Sequence, residues 1–113
     1  MMATKIASDR ATALQAELDR ILPIIVSEYK PEKVIVFGSL TTGLFDEWSD
    51  IDLIIVKETD KRFFERMDEV LSMIKPEEGL DLLVYTPAEF AELCIKRRFF
   101  RVEILTKGRI IYG

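Results

Sequence analysis

The sequence predicts an α/β (α+β) fold, with helices packed on a small central sheet of about four strands. Three observations predict it. Short β-branched runs alternate with longer stretches of helical periodicity. Gly and Pro fall singly, at the boundaries between those runs. No repeat, low-complexity tract or linker divides the chain, so residues 1–113 read as one domain, large enough for a single hydrophobic core.

From about Ser8 to Lys30, Leu14, Leu18, Ile21, Leu22, Ile25 and Tyr29 recur at helical spacing. Pro23 predicts a kink or restart, and Pro31 ends the helix. Lys33 to Phe37 is apolar and β-branched, hence a buried strand that stops at Gly38-Ser39; Ile51 to Lys57 reads as a second strand for the same reasons. Asp60 is a candidate cap for a helix whose apolar stripe is Phe63, Phe64, Met67, Val70, Leu71 and Ile74, closed by Pro76 and Gly79. Leu80 to Tyr85 is the third strand. Thr86-Pro87-Ala88-Glu89 is a capping box with proline at the first helical position, opening a helix that carries Phe90 and Leu93. Phe99 to Lys107 predicts a further short helix with Gly108 as its C-terminal cap, and Arg109 to Tyr112 a last strand.

Composition excludes much. There is no histidine and one cysteine, which removes Ser-His-Asp and Cys-His catalysis, histidine-ligated zinc, thiolate metal sites and an internal disulfide. Chemistry here falls to carboxylates, hydroxyls, amines and hard metal ions. A net charge of −4 argues against a duplex nucleic-acid surface, while leaving room for an anionic substrate bridged by metal. The N-terminus shows no apolar signal region and no apolar run is long enough to span a bilayer, so the expectation is a cytoplasmic protein away from the membrane.

The informative stretch is Phe37-Gly38-Ser39, ten residues, then Asp50-Ile51-Asp52. Residues two apart on a strand share a face, so Asp50 and Asp52 present paired carboxylates while Ile51 and Leu53 face the other way. Ionised and ~4 Å apart, such a pair repels by roughly 1 to 4 kcal/mol. No Lys or Arg lies within the pair to offset this, and a shared divalent cation, Mg²⁺ with substrate phosphates, is the natural counter-charge. Gly38 lets backbone approach a phosphate, Ser39 adds a hydroxyl and main-chain donors, and Gly43 turns the loop. Asp81, on a strand where aspartate is disfavoured, is either a partly exposed strand-start residue or a third acid that joins the metal or accepts a proton from an attacking hydroxyl.

These residues, with the Asp81 strand followed by Thr86-Pro87-Ala88-Glu89, resemble the minimal nucleotidyltransferases of the DNA polymerase beta-like superfamily, from about Ile24 to Gly113. The resemblance implies a nucleotidyltransferase fold with a small mixed sheet. It implies that Asp50 and Asp52 bind two Mg²⁺ ions holding a nucleoside triphosphate, with Asp81 completing the acidic triad. Gly38, Ser39 and the position of Thr42 contact the nucleotide. One departure stands out: where the family often reads Gly-Ser-x-Ala-Arg-Gly, this chain has Gly38-Ser39-Leu40-Thr41-Thr42-Gly43. Loss of that arginine's phosphate contact costs ~1.5 to 3 kcal/mol, so weak activity or a substitute cation is expected, the candidates being Lys57, Lys61 and Arg62.

The resemblance further implies an Mg²⁺-dependent transfer of AMP from ATP to a hydroxyl. The acceptor is expected on a partner because this length leaves no room for an acceptor domain. Minimal members of this kind occur beside a helical HEPN-domain protein as the antitoxin of a toxin–antitoxin pair, modifying a partner tyrosine with AMP. The competing reading is a non-catalytic module that neutralises a helical partner by contact; a third is transfer to a small molecule, which requires an oligomer to build the pocket. Homo- and hetero-oligomers are both compatible with these readings. Lys96-Arg97-Arg98 with Arg101 reads as a solvated helix face or an anionic docking patch, Trp48 as a stacking surface or a core cover, and Cys94 as a small core residue.

Overall fold

The computed structural model describes the backbone of residues 2–113 and the side chains from Lys5 onward. Helix α1 (Met2–Ile24) continues as a π-helical turn, Ile25–Tyr29. Then follow β1 (Lys33–Phe37), the short α2 (Ser39–Thr42), β2 (Ile51–Val56), α3 (Phe63–Ile74), β3 (Leu80–Tyr85), α4 (Pro87–Lys96), a π-helix over Phe100–Thr106, and β4 (Arg109–Tyr112). The sheet runs β3-β2-β1-β4; β1 is antiparallel to β2 and β4, and β2 is parallel to β3. It is therefore mixed, as expected. Short loops suffice for antiparallel neighbours, whereas the parallel pair needs a crossover, which α3 supplies.

Alternation along the central strands sorts side chains onto two faces. Val34, Val36, Ile51, Leu53, Ile55, Leu82 and Val84 pack against Leu14, Leu18, Ile21 and Ile25 of the first helix and Val70 and Ile74 of α3. On the other face Ile35, Ile54 and Val56 meet Phe90, Phe100 and Ile104 from α4 and the second π-helix. Burial is nearly complete in the layer nearest β1 and β2, and each such aliphatic side chain contributes about 1.5 to 3 kcal/mol.

The helix ends differ in instructive ways from sequence expectation. The first helix begins at Met2 rather than near Ser8. Pro23 does not break it; lacking an N–H, it is followed by a wider turn in which Lys30 N–H donates to Ile25 O, five residues back, at 3.2 Å. Asp60 does not cap α3, whose N-cap is Arg62 with no side-chain bond, and Phe64 of the expected apolar stripe is 73% exposed. The Thr86 capping box forms in full: Glu89 N–H donates to Thr86 Oγ1 and Thr86 N–H to Glu89 Oε1. The helix expected over Phe99–Lys107 is π-helical over Phe100–Thr106. Gly108 donates to Ile104 O but is not left-handed; glycine is needed because a Cβ there would stand 2.3 Å from that same oxygen.

A polar stripe on α1 fastens the chain between α3 and β3. Glu17, only 5% exposed, accepts from the Glu77 and Glu78 amides at 2.6 and 3.2 Å and from the Arg20 guanidinium at 2.7 and 3.0 Å. Arg20 in turn donates to the Ile74 and Lys75 carbonyls, closing the C-terminus of α3. The Arg20 bonds, aided by the backbone amides, hold the Glu17 carboxyl below the usual range against the opposing effect of burial. A group so depressed stabilises the fold above its unfolded value and loses that contribution as pH falls through its folded one. Glu17→Ala is expected to cost about 2 kcal/mol at pH 7, read by urea unfolding, with the gap to the unaltered chain narrowing as pH falls below 4.5.

Candidate active site

One row of the sheet brings two of the candidate acids together. Cα pairing sets Phe37 opposite Asp52 across the antiparallel pair, and Asp52 opposite Asp81 across the parallel one. In-register neighbours point to the same side, so both carboxylates stand on the α4 face. They lie beyond the aromatic layer of that face, which ends where Phe99 sets its ring edge-on to Phe37 at 6.0 Å. Asp81 is consequently exposed and Asp52 half-buried.

Burial, then the Asp81 carboxyl within hydrogen-bond reach, then the charges of Asp81 and Asp50 push the Asp52 carboxyl up from 3.8 to about 6. Gly38 closes the other side. Its φ of 72° is a left-handed backbone, and a Cβ there would meet Asp52 Oδ2 at 2.2 Å. Glycine therefore serves both the turn and the close approach. After it, Thr41 and Thr42 amides donate to the Gly38 carbonyl at 2.9 and 3.0 Å, so the amides of Ser39 and Leu40 precede the first intrahelical bond. Ser39 Oγ donates to Ser49 Oγ at 3.3 Å, tying the strand exit to the return loop.

Asp50 is placed differently from Asp52. Strand β2 begins at Ile51, so Asp50 lies on the loop, its Oδ1 over the Cα of Gly79 where a Cβ would fall 1.9 Å away. The same Oδ1 is 3.5 Å from Arg10 Nη2. Among the described residues no three Asp, Glu, Cys or His side chains form a ready-made metal cage. The donor set nonetheless fits a hard divalent cation: every donor is oxygen, two carboxylates are in register, and the Asp52 carboxyl is raised first by burial and then by its acidic neighbours, all of which a cation offsets. Asp52, Asp81 and Asp50 are the side chains that would hold it.

Thr42 is exposed, with Oγ1 accepting from the Leu44 amide at 3.2 Å, and offers no charge. The expected substitutes do not come to the site. Lys57 donates to the Tyr29 carbonyl at 2.5 Å beyond the far end of β2, Lys61 pairs with Glu69, and Arg62 is 92% exposed beside Glu65. The cation at the site is Arg10, which sequence reasoning missed. A signal was present, since Arg10 and Glu17 fall at helical spacing on the stripe of Leu14, Leu18 and Ile21, where an apolar side chain is expected. A cavity of about 380 Å³ lined by Phe63, Tyr85, Glu89 and Leu93 lies at the opposite end of β3 from Asp81.

The family model for the nucleotidyltransferase domain matches residues 18–112. The chain is also similar to a crystal structure of a provisionally described nucleotidyltransferase from Sulfolobus solfataricus, with a TM-score of 0.65 at 19% identity over 93% of this chain and 85% of that one. At that identity the likeness establishes the fold. No curated protein matches the sequence significantly.

The raised Asp52 carboxyl carries a testable consequence. The folded chain binds its proton more tightly than the unfolded one, so stability falls as pH rises from about 4 through about 6. Asp52→Asn removes the ionisable group and is expected to melt several degrees above the unaltered chain at pH 8, with little difference at pH 4. Equal melting at both values contradicts a raised Asp52 carboxyl.

Proposed function

The chain belongs to the nucleotidyltransferase domain family, and from that premise we propose that it transfers AMP from ATP to a hydroxyl of a partner protein. The observation that carries the reading is the in-register Asp52 and Asp81 pair beside the left-handed Gly38. Divalent ions, two Mg²⁺ in this reading, supply charge neutralisation at the phosphates and at the attacking and leaving oxygens when bound. Asp50 and Asp52 would hold them, with Asp81 as the third acid. Gly38 and Ser39 take the phosphates, by close backbone approach and by hydroxyl and amide donors, with Thr42 at the end of the same short helix.

In the transfer the acceptor oxygen forms a bond to the α-phosphorus as the bond to the bridging oxygen breaks. Pyrophosphate carries away that electron pair, and the hydroxyl proton passes to Asp81. Asp81 suits this role because it is the exposed member of the pair, on edge strand β3, open to a large acceptor. That openness is what supports a protein acceptor over a small molecule, whose binding calls for an enclosing pocket. We assign the acceptor to a helical HEPN-domain partner, with this chain as the antitoxin of the pair.

A contact-only module is the second reading, favoured by exposed, uncharged Thr42 at the position of a phosphate-binding arginine. The two separate in one experiment. With α-labelled ATP, Mg²⁺ and a HEPN-domain protein as the proposed partner, the partner is expected to become labelled, and Asp50→Asn with Asp52→Asn to lower labelling at least about a hundredfold. Labelling undiminished in that double variant removes the catalytic reading. Partner binding without labelling, and without stabilisation of the chain by Mg²⁺ and ATP in a melting scan, establishes the contact module.

A further inference from the structure

Arg10 lies before the segment that the family model matches, residues 18–112, and yet reaches the site. Its Nε donates to the Ser49 carbonyl at 2.8 Å, its Nη1 to Glu78 Oε2 at 2.5 Å, and its Nη2 stands 3.5 Å from Asp50 Oδ1. One side chain thus joins three segments: α1, the loop that enters β2 and the loop that enters β3. Those two loops lead directly into the strands bearing Asp52 and Asp81. The guanidinium is well placed to stay put, with its side chain 21% exposed and its helix seated on the core by Leu14, Leu18 and Ile21.

The three contacts are unequal. Ser49 and Glu78 make short, charge-assisted bonds, whereas the contact to Asp50 is at the limit of a hydrogen bond. The Arg10 contact is made by Oδ1, and the whole Asp50 carboxylate lies against Gly79, where a Cβ would stand 1.9 Å from Oδ1 and 3.2 Å from Oδ2. Orientation of a ligating carboxylate through its other oxygen is a recurrent way to tune a metal site.

We propose that Arg10 is a positioning residue that fixes the Ser49–Asp50 segment and so holds the Asp50 carboxylate at the entrance to β2, beside Asp52. Its bearing on nucleotide binding rests on the transferase reading above; its hold on the loop does not. Trp48, the single tryptophan, adjoins Ser49 and is 80% exposed, so it reports that loop directly. In the full-length ligand-free chain, Arg10→Gln is expected to lower Trp48 fluorescence anisotropy while keeping the far-ultraviolet dichroism of the unaltered protein. Its affinity for Mg²⁺·ATP, followed by Trp48 emission, is expected to fall about tenfold, with Arg10→Lys recovering part of both changes. Glu78→Gln, which removes one anchor and keeps Arg10, is expected to lower the anisotropy less and provides the reading should Arg10→Gln not fold. Unchanged anisotropy in the folded variants, or Mg²⁺·ATP affinity equal to that of the unaltered chain, overturns the proposal. An unaltered chain that ignores Mg²⁺·ATP overturns the transferase reading instead, and the ligand-free anisotropy then decides the role of Arg10.

Discussion

Parallel pairing of β2 with β3 is the constraint on which the site depends. It sets Asp52 against Asp81 in register, on one face, at the end of the sheet that the aromatic layer leaves open. A sheet built for stability would not place two carboxylates there. The fold accommodates them by leaving Asp81 in water and by letting Asp52 retain its proton to about pH 6. Stability is given up at one row of the sheet, where the two carboxylates stand side by side.

The remainder of the molecule offsets this cost and keeps the row in place. The α1/α3 face supplies a dry aliphatic core, and the same first helix carries three polar residues, Arg10, Glu17 and Arg20, to the loops between the strands. Glu17 and Arg20 hold residues 74–78; Arg10 extends that hold to Ser49 and Asp50. Arg66 does the corresponding work on the other side, donating from α3 to the Val84 carbonyl and to Glu89 of α4. Strand ends therefore meet anchored loops.

Much of this was legible before any coordinates. β1, β3 and β4 keep their expected limits because β-branched runs bounded by Gly, Pro or charged residues leave little choice, and the Thr86 capping box is a local device that needs only an extended Thr86 and the first turn of the helix after it. Where expectation failed, a longer-range contact had decided. Asp60 is a good cap in isolation, yet α3 starts later, at Phe63, where a ring can rest on Tyr85 at 5.6 Å. Gly108 looks like a left-handed terminator, but the space between Ile104 and Ile35 is what demands glycine. Lys57, Lys61 and Arg62 were near Asp52 in sequence and were carried to the other end of β2 by the direction of the strand.

By itself the sequence determined the chemistry available to this protein and the parts that bear it. Absence of histidine leaves carboxylates as the groups able to accept protons near neutrality, and the Gly38-Ser39 and Asp50-x-Asp52 spacing places a glycine turn and an acid pair on consecutive strands. Those are local properties, set by side-chain type and by the two-residue period of a strand. Tertiary structure alone decided which acids meet and which cation attends them. Asp52 and Asp81 are brought together by strand register, and Arg10 reaches Asp50 across 40 residues of sequence through the packing of α1. No periodicity encodes such a contact, because it depends on where a whole helix comes to rest on the sheet.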